Sequence, residues 1–213
     1  MRWIAPSPHD ADLLLVGIEL GGLMRSGDGG RTWQDHRPGA QRDVHSLAWH
    51  PHTPGRAYEA GGGGTAFSTD AGETWQRADD GRDRHYTWSV AVDPDDPDCW
   101  YVSASTGPYA AHGRRDPQAR IYRRRDGEPW QPLTGGLPEP LPAMPYALLA
   151  TEGRLLAGLA NGRFWAASGS DGPGQRVRSG SRPGSVPRPR RYWPRCWMRA
   201  SSCRSGSCTD GSG

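Results

Sequence analysis

The chain is 213 residues long and carries 26 Arg, no Lys and 23 acids, for a net charge of +3. Its 30 Gly and 20 Pro, with no long run of 3.6-residue apolar periodicity, exclude a helical bundle or coiled coil. No apolar run reaches the roughly 20 residues of a membrane span, which excludes that class as well.

Taken in chain order, the elements repeat. Residues 4–13 read as an apolar strand running into a turn built on Pro6 and Pro8. A strand at 13–17, then glycines, leads into Ser26-Gly27-Asp28-Gly29-Gly30-Arg31-Thr32-Trp33. The same succession returns through 47–56 and 57–60, and reaches Ser68-Thr69-Asp70-Ala71-Gly72-Glu73-Thr74-Trp75 42 positions after the first motif. A third copy, 90–99 and 100–104, ends in Arg124-Arg125-Asp126-Gly127-Glu128-Pro129-Trp130, which has lost one turn residue and the Thr. A fourth and weaker copy, 147–156 and 155–159, ends at Ser168-Gly169-Ser170-Asp171-Gly172 without a Thr-Trp.

In S-x-D-x-G-x-T-W the carboxylate accepts backbone N–H groups of a tight turn and Gly takes the positive-φ position. The hydroxyls close the same turn, and the Trp folds over the hairpin. Ser26, Asp28, Gly30, Thr32 and Trp33 are therefore scaffold. So are Ser68, Asp70, Gly72, Thr74 and Trp75, and the remnants Asp126, Gly127 and Trp130. Four short strands in about 40 to 55 residues match one propeller blade. The expected fold is all-β: a β-propeller of four-stranded antiparallel blades at about 1–43, 44–86, 87–143 and 144–172, the last incomplete. Closed propellers have about 4 to 8 blades, so an incomplete ring is expected, with self-association through its open blade edges.

This motif is the Asp-box, and its repeats resemble those of the BNR-repeat propellers, which include sialidases and sortilin-like ectodomains. The resemblance implies that the boxes lie at the blade periphery, with ligands on the opposite face. Blade connectivity puts the loops at 19–22, 43–45, 61–64, 80–88, 106–120 and 138–146 on that face. Two of them concentrate chemistry. Residues 80–88 supply Arg82, Arg84, His85, Tyr86 and Trp88; the insertion at 106–120 supplies Tyr109, His112, Arg114 and Arg115. Aromatic planes with Arg and His suit a sugar ring or an anionic group. The expected role is a binding or scaffolding module for a protein or carbohydrate ligand on that face. The alternative implied by the resemblance is a glycosyl hydrolase drawing on Glu19, Asp43, Asp83 and Asp116, with Tyr86 as nucleophile. A sialidase is disfavoured because the Arg-Ile-Pro element is only loosely echoed by Arg2-Trp3-Ile4-Ala5-Pro6.

No cofactor and no metal are assigned. His50-Pro51-His52 lies on the box side without a third ligand, and Asp93-Pro94-Asp95-Asp96-Pro97-Asp98 reads as a turn with incidental charge. Gly61 to Gly64 lacks the Lys-Ser/Thr of a phosphate loop. The charge is unevenly spread: residues 173–213 hold nine Arg and one acid, whereas 1–172 hold 17 Arg and 22 acids. That tail has too few aliphatic residues to offset chain entropy, and reads as disordered or as an out-of-frame translation of a GC-rich gene. Its Cys196, Cys203 and Cys208 have no zinc-type spacing. It carries no recognised nucleic-acid module, so neither nucleic acid nor membrane is expected as a partner. Met1 leads directly into a strand without a secretory apolar region, which predicts a cytoplasmic product.

Overall fold

The computed structural model describes residues 3–113, 116–134, 137–151, 153–168 and 178–180, all within a unit that spans Met1–Ser181. They form four antiparallel sheets, each made of strands consecutive in the chain. The first is β1 (Trp3–Pro6), β2 (Leu14–Ile18) and β3 (Gly22–Ser26). The second is β4 (Val44–Trp49), β5 (Ala57–Gly61), β6 (Gly64–Ser68) and β7 (Gln76–Arg77). The third is β8 (Tyr86–Asp93), β9 (Asp96–Ser105), β10 (Arg120–Arg124) and β11 (Gln131–Pro132). The fourth is β12 (Pro145–Thr151), β13 (Arg154–Leu159), β14 (Phe164–Ser168) and β15 (Arg178–Gly180).

Two details differ from the four-strand expectation. In the first sheet the outermost strand is reduced to a single bridge between Arg25 and Gln34. The edge strand of the fourth sheet, Arg178–Gly180, comes from the stretch that composition assigned to the tail, and pairs with β14. The rest of the tail and the end of the fourth box lie outside the described residues.

Strand alternation sends every second side chain to a neighbouring sheet, so the core is three layers between sheets rather than one central mass. Ala5, Leu15, Leu23, Leu47, Trp49 and Trp75 fill the layer between sheets one and two. Tyr58, Ala60, Trp100, Val102, Tyr122 and Trp130 fill the next. The layer between sheets three and four holds Tyr101, Ile121, Met144, Leu155, Leu159 and Trp165 among others. Each large apolar side chain buried in this way contributes roughly 1.5 to 3 kcal/mol. Packing is sequential, and no comparable layer joins the fourth sheet to the first among the described residues. The outer face of the first sheet is left aliphatic, with Ile4, Val16 and Met24 in register across its three strands.

The two faces of the arc separate as blade connectivity predicts. Gly29 N–H donates to Asp12 O and Ala71 N–H to Gly55 O, tying each box to the Pro-containing turn beside it. At the other end Leu20 N–H donates to the Asp43 carboxylate and Gly62 N–H to Asp43 O.

Candidate ligand-binding face and the Asp-boxes

The two intact boxes are near-identical hydrogen-bonded units. Asp28 Oδ1 accepts from Thr32 N–H at 2.9 Å and Oδ2 from the Thr32 hydroxyl at 2.6 Å; Asp70 and Thr74 repeat both distances. Ser26 Oγ and Ser68 Oγ each donate to their Asp and accept an N–H, from Gly30 and Gly72 respectively. Gly72 has φ 81, a conformation that favours a residue without Cβ. The Thr32 hydroxyl and amide, with Ser26, hold the Asp28 carboxyl far below its ordinary range. For Asp70 burial pushes upward, but Thr74 and Ser68 outweigh it and the shift is downward. Both oxygens of each carboxylate are thus engaged inside the turn.

The third box keeps its hairpin with a different turn. Asp126 and Gly127 both take positive φ, 52 and 75, and Glu128 N–H closes the turn on Arg125 O. The box tryptophans also do more than cap a hairpin. The Trp33 and Trp75 indole N–H groups donate to Gly30 O and Gly72 O of their own turns, whereas Trp130 reaches Ala78 O of the preceding sheet at 2.6 Å. Trp75 and Trp130 are only 5% and 1% exposed because the preceding sheet covers them. Trp33, which no other sheet covers among the described residues, is 38% exposed.

On the opposite face the structure redistributes the expected site residues. Arg82 is not available to a ligand: its side chain is buried, ion-paired to Asp79 and lies 5.4 Å from the Trp130 ring. Arg84 donates to Gln118 O at 2.9 Å and pairs with Asp83, which fastens the loop to the insertion. Asp83 also accepts from Tyr122 and pairs with Arg120. Burial works against its charge, but Tyr122, Arg84 and Arg120 hold its pKa below the ordinary value. Asp83, Arg84, Arg120 and Tyr122 thus form one hydrogen-bonded and ion-paired cluster. Asp116 bonds to Gln118 N–H at 3.2 Å within its own loop. His85 is exposed, and Arg114 and Arg115 lie outside the described residues.

The residues brought together are aromatic. The insertion folds into a short helix, α1 (Pro108–His112), which places Tyr109 at 95% exposure and turns His112 toward the inner strands. Tyr146 O–H donates to Ala111 O at 3.1 Å, so at 2.8 Å it accepts from His112 Nδ1–H; His112 Nε2 then accepts from Tyr86 O–H, also at 2.8 Å. Trp88 lies under this chain, 4.6 Å from the His112 ring, 5.2 Å from Tyr146 and 4.6 Å from His45. Beside it is a cavity of about 260 Å³ lined by His112, Pro142, Met144, Tyr146 and Asn161 among others. Tyr86, Trp88, His45 and Tyr146 all sit near the starts of β4, β8 and β12, the first strands of their sheets. Sequence reading did not single out His45 and Tyr146; their recurrence at that blade position was the available signal.

Of the proposed acids, Glu19 and Asp43 come together with His45, one ligand atom of each lying within 4.8 Å of the others. Among the described residues no helix is long and apolar enough to cross a membrane.

Comparison with solved structures decides the architecture. The chain superimposes on an ancestral GH74 enzyme with TM-score 0.64 at 19% identity, covering 83% of this chain and 27% of that one. The GH74 xyloglucanase from Xanthomonas campestris gives 0.62 at 18%, covering 84% and 29%. YCF48 bound to D1 peptide gives 0.52 at 16%, covering 78% and 50%. This chain is an arc of Asp-box propeller blades. In sequence the arc is 30% identical over 116 residues to vacuolar protein sorting/targeting protein 10 of Emericella nidulans, covering 54% of this chain and 7% of that protein. No protein-family model matches. The arc thus spans a small part of that relative and less than a third of the GH74 chains, and at these identities the structural likenesses speak for the fold.

Proposed function

We propose that the arc is a binding module whose face opposite the Asp-boxes takes a protein or glycan partner. The observation that carries this reading is the Tyr86–His112–Tyr146 chain over Trp88, opening onto a cavity with the exposed Tyr109 nearby. Such rings offer large, rigid contact area with few rotatable bonds, as hot spots of recognition do. Two likenesses favour a polypeptide among the candidates: YCF48 was solved with a peptide, and the sequence relative is named for sorting. That relative also favours a secretory or vacuolar setting over the cytoplasm.

The test is a peptide and glycan array probed with the full chain, followed by titration of the strongest binders against Tyr109→Ala and His112→Ala. Each variant should lose about fivefold or more in affinity, the effect of about 1 kcal/mol at an interface, with an unchanged far-UV spectrum. Undiminished binding by both variants would reject this face.

A glycosidase reading has the GH74 likeness and the Glu19–Asp43 pair in its favour. Against it, atoms within 4.8 Å leave no room for the water of an inverting mechanism, at roughly 6.5 to 9.5 Å, so that only a retaining mechanism, at roughly 5 to 5.5 Å, is open to the pair. A screen of chromogenic glycosides that returns turnover abolished by Asp43→Asn would restore it.

A further inference from the structure

Glu19 follows β2, Asp43 precedes β4 and His45 is the second residue of β4, so a turn of one sheet meets the entry of the next. His45 is 2% exposed. Its Nδ1 lies 2.6 Å from Thr87 O, and because a carbonyl only accepts, Nδ1 carries a proton. The other nitrogen, Nε2, is buried without a hydrogen-bond partner, yet stands 3.3 Å from Asp43 Oδ2. That distance would serve an ion pair if the ring were protonated, but the alignment is not that of a hydrogen bond.

Asp43 is positioned as deliberately as the ring. Leu20 N–H donates to Oδ1 at 3.2 Å, and a Cβ on Gly62 would lie 2.2 Å from Oδ2, so only glycine leaves the carboxylate room to turn toward His45. Tyr86 and Trp88, with ring centres 5.0 and 4.6 Å from that of His45, fix the imidazole plane. The result is a nitrogen lone pair and two carboxylates, all within 4.8 Å, converging on one point. An imidazole oriented by Nδ1–H donation to a backbone carbonyl, with Nε2 facing carboxylates, is the arrangement that ligates a cation.

We propose that Glu19, Asp43 and His45 bind a divalent first-row metal ion. One nitrogen and two oxygens suit manganese or zinc better than calcium, which takes oxygen ligands alone, and three protein ligands leave positions open to solvent or to a ligand. The proposal is independent of the partner-binding reading. A second acidic group, Asp96, Asp98 and Asp126, has no comparable buried donor aimed into it and serves as the control.

The experiment uses the full chain stripped with chelator and titrated with Mn2+, followed by the paramagnetic resonance of the free ion. Manganese avoids competition from the tail thiols, because soft thiolates select other metals. One ion per chain is expected, displaced by zinc. Glu19→Gln, an exposed position, and His45→Gln should each weaken binding about tenfold or more, at least the loss that outer-shell changes produce. Asp126→Asn should bind as the parent does. Should His45→Gln unfold, Glu19→Gln alone decides. The absence of saturable Mn2+ binding, or binding that survives Glu19→Gln, or binding lost in Asp126→Asn, would overturn the proposal and leave a His45–Asp43 ion pair.

Discussion

Glu59 is the residue whose environment conflicts most with its chemistry. It lies in the middle of β5, fully buried, with Oε1 accepting Gln41 N–H at 2.6 Å and Oε2 without a partner. Burial pushes its carboxyl from 4.5 up to about 8. In the unfolded chain the group ionises near the lower value and in the folded chain near the higher one. Between them the folded state holds the extra proton, so stability is full below about 4.5 and is lost as pH rises through about 8. Thermal melts of the parent should therefore fall between pH 5 and 8, relative to Glu59→Gln, by a stability on the order of a few kcal/mol. Parallel profiles for the two proteins would show that Glu59 is ionised in the fold.

At the scale of the element, the Asp-box is a hairpin with two separable functions. Its Ser, Asp, Gly and Thr form a self-contained turn, the same in the first and second sheets. Its Trp, by contrast, is an interface residue whose value depends on the neighbour. Trp75 and Trp130 fill layers between sheets, whereas Trp33 faces outward. Trp75→Ala should cost about 3 to 5 kcal/mol in chemical denaturation, as for a buried large side chain. Trp33→Ala should cost about 1 kcal/mol, near the average for single substitutions. Equal losses would mean that the ring stabilises the hairpin and not the layer. The box Trp therefore closes its own hairpin at Trp33 and Trp75 and, where a neighbouring sheet is present, fills the layer as well, which the turn alone does not reveal.

At the scale of the molecule, the described residues leave an apolar face on each of the first and fourth sheets. One carries Ile4, Val16 and Met24 beside Trp33; the other carries Leu149, Leu156 and Phe164 on the face of the fourth sheet turned away from the third. Ile4, Leu149 and Phe164 are exposed there. Faces of this kind bury themselves against another sheet wherever one is available, because each sheet in such a stack is stabilised by its neighbours. Light scattering of the chain should show concentration-dependent association, and Ile4→Asp together with Leu149→Asp should shift it toward monomer without lowering the melting temperature. A monodisperse monomer at all concentrations would mean that the two faces find each other.

The repeat period, the box chemistry and the separation of the two faces were legible in the sequence because each depends on local spacing. Ser, Asp, Gly and Thr satisfy one another within seven residues, and strand alternation needs no distant partner. The candidate site was legible only in part. By residue type Arg82 and Arg84 looked like ligand contacts and Asp83 like a catalytic acid, yet the fold engages their charge with Asp79, Gln118, Arg120 and Tyr122. Glu19, Asp43 and His45, or Trp88 and Tyr146, are brought together by the packing of one sheet on the next. Local spacing along the chain thus defines each blade. Tertiary structure decided which side chains meet, because convergence across sheets depends on inter-sheet distance and rotation, which no local pattern encodes.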